Sequence, residues 1–160
     1  MALSPYIPLA NTGSGAKRNG FILYVEDEDI NWELTEVSFR GRYNLHRAKS
    51  SREAFELLAK NTYDLILMDI QLSASDLNGI EITQVLRGRY EGQLPHYATR
   101  VAATTVPIIF VTAYTARYTK DELIAAGGVD MIPKPVDFVK LSLTITRLIL
   151  RDAATHQPDL

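Results

Sequence analysis

The sequence predicts an α/β fold in which five parallel strands form one doubly wound sheet with helices on both faces. Short apolar runs of strand length alternate with amphipathic segments of helix length, from Phe21 to about Arg151. The runs are apolar throughout rather than at every second position, which is typical of parallel strands covered on both faces. The chain has 160 residues, 46% of them hydrophobic, which is enough for one domain with one core.

The predicted strands are spaced regularly along the chain. The three strongest are FILYV (21–25), YDLILM (63–68) and VPIIFV (106–111), each bounded by polar residues. Two weaker candidates are YNLHRA (43–48) and DMIP (130–133). Right-handed crossovers between such strands produce a doubly wound sheet, for which we expect the flavodoxin-like strand order 2-1-3-4-5.

The first and last helices are predicted from apolar periodicity. In residues 29–40, Ile30, Leu34 and Val37 form roughly one apolar stripe, the pattern typical of a helix that covers a sheet. The last helix, from about residue 137 to 151, is apolar over much of its surface.

Capping signals place the three helices between them. Two pairs have the spacing of a capping box, Ser50 with Glu53 and Thr119 with Glu122. Another helix runs from about Gly79 to near Gly88. Gly127 or Gly128 is expected to end the fourth helix, because glycine adopts the left-handed conformation without steric cost.

Composition and charge exclude several classes of function. The net charge is −2, so the chain has no basic field with which to bind nucleic acid. The absence of cysteine excludes disulfides, thiolate catalysis and cysteine-bound zinc. No apolar run reaches the roughly 18 residues that span a bilayer. We therefore expect a cytoplasmic protein with no contact to membrane or nucleic acid.

The chain is predicted to contain one folded domain between two flexible ends. Residues 1–20 are rich in small and polar side chains, with little periodicity, and are expected to be a flexible leader. The domain is expected to span residues 21–151, and residues 152–160 to form a flexible tail.

Acidic residues follow two strands that are neighbours in the predicted sheet. Glu26 and Asp27 follow the first strand, and Asp69 follows the third. Ligands bind beyond the carboxyl ends of such strands, so three carboxylates are expected to meet there. Two unit charges about 4 Å apart repel by about 4 kcal/mol at an effective dielectric constant of about 20, so a cation is expected with them. Mg²⁺ fits, because it prefers oxygen ligands and binds carboxylates together with phosphate.

Three of the residues at strand ends have the chemistry needed for phosphoryl transfer. Asp69 is a candidate nucleophile that would form an aspartyl phosphate. Thr112 ends the fourth strand with a hydroxyl that can donate to a phosphoryl oxygen, and Lys134 ends the fifth, where Lys134–Pro135 is a candidate cis peptide. Singly, each has an ordinary structural explanation as a turn, strand-end or surface residue. As a set they provide the positioning and charge that phosphoryl transfer requires.

This set resembles the receiver domain of two-component response regulators, of the single-domain, chemotaxis-regulator-like kind. The likeness covers about residues 21–150 and depends on the combined spacing of YVEDED, LILMDIQL, NGIEI, PIIFVTAY and AAGGVDMIPKPV. It implies that Asp69 is phosphorylated and binds Mg²⁺ together with Asp27. It further implies that Glu26 acts mainly through a metal-bound water and that the backbone carbonyl of Gln71 is also a ligand.

The resemblance also implies a function. A histidine kinase or histidine phosphotransfer protein would donate the phosphoryl group from a phosphohistidine to Asp69, and Thr112 and Lys134 would then move to the phosphate. Such a domain catalyses its own phosphorylation and dephosphorylation and is not a turnover enzyme. Its output would be protein contact, with a downstream target or with a second copy through helix 4, strand 5 and helix 5.

The sequence departs from the family pattern in three places. The segment after the acceptor, LSASDLNG (72–79), lacks the usual proline and is longer than usual. Residues 87–107 are also longer than is typical, and we expect a tolerated surface insertion there, with a docking loop as the alternative. Met131 stands where many receivers carry an aromatic switch residue, and Tyr114 and Tyr118 are candidates to repack in its place.

Three other interpretations remain open from the sequence. The chain is a receiver-like adaptor that acts without phosphorylation, or a receiver excised from a hybrid histidine kinase. A phosphatase of the haloacid-dehalogenase type also uses an aspartyl nucleophile. That family needs a second aspartate two residues later, where this chain has Gln71, so this interpretation ranks lowest.

Overall fold

The structure, a computed structural model, describes residues 19–113 and 116–155. Within these ranges five strands alternate with five α-helices. The strands are β1 (Phe21–Val25), β2 (Asn44–Ala48), β3 (Leu65–Met68), β4 (Ile108–Thr112) and β5 (Asp130–Pro133). The helices are α1 (Asp29–Phe39), α2 (Ser51–Lys60), α3 (Gly79–Leu86), α4 (Lys120–Ala126) and α5 (Phe138–Thr155), with a 3-10 helix at His96–Arg100.

The strands form one parallel sheet in the order β2-β1-β3-β4-β5, so the predicted fold class and strand order are confirmed. Val25, the last residue of β1, pairs with Ala48 of β2 and Met68 of β3. Thr112, the last residue of β4, pairs with Pro133 of β5. The strands therefore end in register, and the residues that follow them meet at one edge of the sheet.

Each face of the sheet has its own hydrophobic core. Leu23 and Val25 of β1 pack with side chains of α2, α3 and α4, whereas Ile22 and Tyr24 pack with α1 and α5. Side chains alternate between the two faces of a strand, and both faces of β1 are covered. This is why two of the strongest predicted strands, FILYV and VPIIFV, have no polar positions.

The face of α1 that packs on the sheet was predicted wrongly. The predicted stripe is exposed, at 59% for Ile30, 51% for Leu34 and 64% for Val37. Trp32, Thr35 and Phe39 face the sheet instead. These residues form a second stripe on the opposite side of the helix, and its two aromatic rings bury more apolar area than the aliphatic stripe would.

The two helix starts predicted from capping boxes are confirmed, although the box at α2 forms only in part. Thr119 and Glu122 form a complete capping box at α4. At α2 the Ser50 hydroxyl accepts from the amide of Glu53, as predicted. The carboxylate of Glu53 binds the amide of Lys49 rather than that of Ser50, so only half of this box forms.

Helix α4 ends where it was predicted to end, whereas α5 is longer than predicted. Gly127 ends α4 with a φ of 121°, as expected for a glycine at this position. Helix α5 continues to Thr155, beyond the predicted end at Arg151, because the intervening Asp-Ala-Ala sequence contains no helix breaker. None of the helices in the two described ranges is long and apolar enough to cross a bilayer.

The segment 87–107, called the insertion below, was expected to be a tolerated surface insertion, and parts of it pack against the domain. Ala98 is buried in the core on the α2 side of the sheet. The guanidinium of Arg87 donates to the backbone carbonyls of Thr104, Val106 and Gly127 at 2.6 to 3.0 Å. The two ends of the insertion are thus bound to each other and to the end of α4.

Candidate phosphorylation and metal site

The sheet itself places three of the predicted site residues. The amide of Glu26 donates to Ala48 at 2.9 Å and that of Asp69 donates to Val25 at 3.0 Å. The amide of Lys134 donates to the carbonyl of Thr112, also at 3.0 Å. Hydrogen bonding between strands therefore continues one residue beyond β1, β3 and β5 and fixes these backbones.

One cation lies between two buried carboxylates at this edge of the sheet. The ammonium of Lys134 is 2.8 Å from Oε2 of Glu26 and 3.1 Å from Oδ2 of Asp69. The side chains are 12%, 0% and 8% exposed, in the order Lys134, Glu26 and Asp69. The group carries a net charge of −1 when both carboxyls are ionised, and this favours a second cation.

Glu26 is held at both of its oxygens. Its Oε1 accepts from the amide of Glu28 and from the side-chain amide of Asn31, both at 3.2 Å. Asn31 also donates to the carboxylate of Glu28. Asn31 was not among the predicted site residues. Its place in the first turn of α1, four residues after Asp27, is the signal that would have identified it.

The environment of Asp69 shifts its acid–base equilibrium. The pKa of Asp69 is raised to about 7: burial is the largest cause, Glu26 adds to the rise, and Lys134 opposes both. Burial lowers the pKa of Lys134, but pairing with Glu26 and Asp69 outweighs it and the net shift is upward. Oδ1 of Asp69 accepts from the amide of Ile70 at 2.8 Å. The carboxylate is thus oriented by one donor at each oxygen.

Asp27 is held by the loop that follows the acceptor, residues 70–78, called the acceptor loop below. The backbone amide of Ser73 donates to Oδ2 of Asp27 at 2.8 Å, and the Ser73 hydroxyl contacts the same oxygen. Ala74 has a φ of 49°, in the left-handed region that costs an L residue about 1 to 3 kcal/mol. The loop thus keeps a strained turn next to a predicted metal ligand.

The donor set fits a hard divalent cation. One carboxylate oxygen from each of Glu26, Asp27 and Asp69 lies within 4.8 Å of the other two. The cleft beside them has a volume of about 550 Å³, and its lining includes Gln71, which is exposed. Oxygen ligands, a negative local charge and room for water are the conditions under which Mg²⁺ binds to proteins.

Of the remaining predicted residues, Tyr118 lines this cleft and Thr112 adjoins a residue that does. Thr112 is fully buried at the end of β4, and the next residue, Ala113, lines the cleft. Tyr118 also lines it, whereas Tyr114 lies outside the described residues. Met131 is partly buried against the core on the α2 side of the sheet. The peptide bond from Lys134 to Pro135 is cis, as predicted.

Comparison with known proteins identifies the family. The family model of the response regulator receiver domain matches residues 22–146. The response regulator PilR of Pseudomonas aeruginosa is 32% identical over 137 residues, which are 84% of this chain and 27% of that protein. Response regulator mcs4 of Schizosaccharomyces pombe is 33% identical over an alignment 172 positions long, which covers 89% of this chain and 32% of that protein. The chain thus spans about a third or less of the length of these relatives.

A solved structure agrees in fold. The receiver domain of the sensor histidine kinase PA1611 from Pseudomonas aeruginosa PAO1 superposes with a TM-score of 0.65 at 26% identity, covering 82% of this chain and 98% of that one. That structure is described with a magnesium ion coordinated in its active site cleft. Receiver domains are signalling domains rather than turnover enzymes, and they interact with histidine kinases. This chain belongs to the response regulator receiver domain family.

Proposed function

We propose that this receiver domain is a phosphorylation switch in which Asp69 accepts a phosphoryl group from a phosphohistidine of a histidine kinase or phosphotransfer protein. The observation that carries the proposal is the buried Asp69 carboxylate, which is 3.1 Å from the ammonium of Lys134 and shares its cleft with two more carboxylates. An acidic nucleophile, a cation and further oxygen ligands are the parts that phosphoryl transfer needs.

In the transfer step, a carboxylate oxygen of Asp69 attacks phosphorus in line with the phosphoramidate bond of the donor. The new bond is O–P, the broken bond is P–N, and the imidazole leaves with its electron pair and takes up a proton. The attacking carboxylate must be ionised. The pKa of Asp69, raised to about 7 by burial, makes bound cations important for keeping it so.

Asp27, Asp69 and the backbone carbonyl of Gln71 would hold Mg²⁺, with Glu26 acting mainly through a metal-bound water. When bound, the ion supplies neutralisation of charge on the transferring phosphoryl group. The magnesium described in the PA1611 receiver domain supports this assignment. So does the cluster of oxygen donors formed by Glu26, Asp27 and Asp69.

After transfer, Lys134 and Thr112 would bind the new phosphate. The phosphoryl group adds a charge of about −1.5 to −2, by analogy with other phosphorylated residues. Lys134 already contacts the acceptor, and Thr112 ends the adjacent strand β4. Movement of these two side chains towards the phosphate would change the surface of α4, β5 and α5.

That surface carries the proposed output. Asp130 in β5 pairs with Lys120 of α4 at 3.1 Å and lies 3.9 Å from Arg147 of α5. Exposed ion pairs contribute little energy, so a small displacement is enough to rearrange them. The proposed partners are a downstream protein or a second copy of this chain, in the cytoplasm, with no role for nucleic acid or membrane.

Two alternatives differ from this proposal in testable ways. A receiver-like adaptor would use the same surface without phosphorylation, and Met131 together with the acceptor loop that lacks a proline favours this reading. A receiver that belongs to a hybrid histidine kinase would keep the chemistry and change the context. The likeness to the receiver of the sensor kinase PA1611 favours that second reading.

Acetyl phosphate separates the switch from the adaptor. With Mg²⁺, the intact mass of the wild type should increase by one phosphoryl group, and Asp69→Asn should show no increase. The matched control Asp121→Asn removes an exposed aspartate of α4 and should be phosphorylated like the wild type. Wild-type protein that is folded and unmodified at saturating acetyl phosphate and Mg²⁺ would support the adaptor.

A further inference from the structure

One side chain connects the insertion to the acceptor loop. Tyr97 lies in the 3-10 helix, and its hydroxyl is 2.6 Å from Oγ of Ser51 and 2.9 Å from Oδ2 of Asp76. Asp76 belongs to the acceptor loop, and Ser51 is the fully buried first residue of α2. The hydroxyl is therefore the point at which insertion, helix and loop meet.

Counting protons gives this network a single consistent direction. Tyr97 has one hydroxyl proton and donates it to the Asp76 carboxylate. Ser51 must then donate its own proton to the Tyr97 oxygen, and Oγ of Ser51 is free to accept from the amide of Leu77. The Ser75 hydroxyl has two acceptors in reach, and its one proton goes to the closer, the carbonyl of Leu77 at 2.6 Å rather than Oγ of Ser51 at 3.1 Å. Its oxygen accepts from the amide of Ser51. Each hydroxyl donates once, and the chain of bonds includes three residues of the acceptor loop.

The ring of Tyr97 is fixed independently of its hydroxyl. It packs on Phe55 with ring centroids 6.0 Å apart, and the guanidinium of Arg52 lies 4.8 Å from its centre. Ala98, the next residue, is buried in the core. Burial raises the pKa of the Tyr97 hydroxyl, and Asp76 adds to the rise, so the hydroxyl stays protonated and able to donate. The insertion therefore holds this donor in one place.

The acceptor loop is held internally by the bond from the Ser75 hydroxyl to the carbonyl of Leu77 and by the bond from the amide of Gly79 to the carbonyl of Ile70. It contains no proline, and Ala74 occupies the left-handed region with a φ of 49°. The same loop carries Ser73, which holds Asp27, and Gln71, which lines the cleft. A strained segment with two functional positions also depends on contacts from outside. Ser51 bonds to Ser75 and Leu77, and Tyr97 bonds to Asp76.

We propose that Tyr97 is a positioning residue that acts on the metal and phosphoryl site through the acceptor loop. It fixes Asp76 and Ser51, these fix Ser75 and Leu77, and the loop then presents Ser73 to Asp27. This inference rests on the proposed function, because its consequence is the affinity of the site for Mg²⁺. It assigns the insertion a role inside its own domain.

The test is Tyr97→Phe, which removes the hydroxyl and keeps the ring packing. We expect amide hydrogen exchange of residues 73–77 in metal-free protein to accelerate about fivefold, the effect of losing one hydrogen bond. The calorimetric dissociation constant for Mg²⁺ should rise by a similar factor. Phosphorylation by acetyl phosphate should lose most of its rate at low Mg²⁺ and recover at saturating Mg²⁺. A purely structural tyrosine would not produce this dependence on Mg²⁺.

Tyr90→Phe is the matched control. Tyr90 also belongs to the insertion, but its hydroxyl makes one long contact, 3.4 Å to Glu81, and no hydrogen bond to the acceptor loop in the part of the chain that the structure describes. This variant should match the wild type in loop exchange and Mg²⁺ affinity. Asp76→Ala is the second test variant. It removes the acceptor of the Tyr97 proton from an exposed position, and it should change both quantities in the same direction as Tyr97→Phe.

The possible outcomes are distinguishable. Wild-type loop exchange in Tyr97→Phe would overturn the inference, and so would faster exchange with unchanged Mg²⁺ affinity. If the wild type itself neither binds Mg²⁺ nor accepts a phosphoryl group, the proposed function fails and the inference fails with it. In that case the exchange data would still show whether the hydroxyl holds the loop.

Discussion

The floor and the rim of the cleft are built on different principles. The floor consists of Glu26, Asp69 and Lys134, whose backbones continue the hydrogen bonding of the sheet and whose side chains are almost fully buried. The rim consists of Asp27 and the acceptor loop, held by hydroxyl and amide contacts near solvent. Electrostatics dominates the floor and loop geometry dominates the rim. Changes to the floor should therefore be larger and depend on pH, and changes to the rim should be smaller and local.

The largest effect on stability is expected from Lys134→Met. It leaves the carboxylates of Glu26 and Asp69 buried without their cation, and breaking a buried ion pair from one side costs about 3 kcal/mol. The loss in the free energy of unfolding should be greatest near pH 8 and shrink towards pH 4, where Asp69, with its pKa raised to about 7, is protonated. Urea unfolding in EDTA measures it.

The control for this variant is Lys140→Met, which removes an exposed lysine of α5. Its free energy of unfolding should stay within about 0.5 kcal/mol of the wild-type value, as is usual at exposed positions. Equal losses in the two variants would contradict the description of the floor as a buried charge cluster.

In contrast to Lys134→Met, Asp69→Asn should gain stability relative to the wild type as the pH rises. The pKa of Asp69 is raised from 3.8 to about 7 in the folded state, so the folded state binds more protons than the unfolded state between these values. Wild-type stability should therefore fall as pH rises through this window and then stay level. Asp69→Asn has no such group, so its stability relative to the wild type should improve by about 1.4 kcal/mol for each pH unit within this window.

This comparison is made by urea unfolding in EDTA across that pH range, with Asp121→Asn as the control. Asp121 is exposed in α4, and its replacement should show no comparable dependence on pH. A stability difference between Asp69→Asn and the wild type that stays flat from pH 4 to pH 8 would mean that burial does not perturb the acceptor.

The smallest effect is expected at the rim, from Ser73→Ala. This variant loses the contact between its hydroxyl and Asp27 but keeps the backbone amide bond to the same oxygen. The free energy of unfolding without metal should fall by about 0.5 to 1 kcal/mol. Ser73→Thr retains the hydroxyl and should retain most of that stability. A loss as large as that of Lys134→Met would remove the distinction between floor and rim.

The floor could be predicted from the sequence because it depends on strand ends. Buried parallel strands are recognisable as unbroken apolar runs, and the residue after each run must lie at the edge of the sheet. This reasoning located Glu26, Asp69 and Lys134 before any contact between them was known. It also gave the strand order, because the alternation of strands and helices restricts the topology.

The rim could not be predicted because it depends on contacts between distant segments. Ser73 and Asp27 are 46 positions apart, and so are Tyr97 and Ser51. No local pattern pairs such residues. The prediction of which face of α1 packs on the sheet was wrong for another reason. Its sequence offers two apolar stripes, and the choice between them depends on the larger rings of Trp32 and Phe39, which fill the space against the sheet.

The central claim is that phosphoryl transfer occurs at Asp69, and locating the modified residue tests it most directly. Borohydride reduces an acyl phosphate to an alcohol, so a phosphorylated aspartate becomes homoserine. After reaction with acetyl phosphate and Mg²⁺, reduction and peptide mass mapping, we predict homoserine at position 69 and unmodified aspartate at position 27. Homoserine at another position, or none in a protein that has gained the phosphoryl mass, would contradict the account.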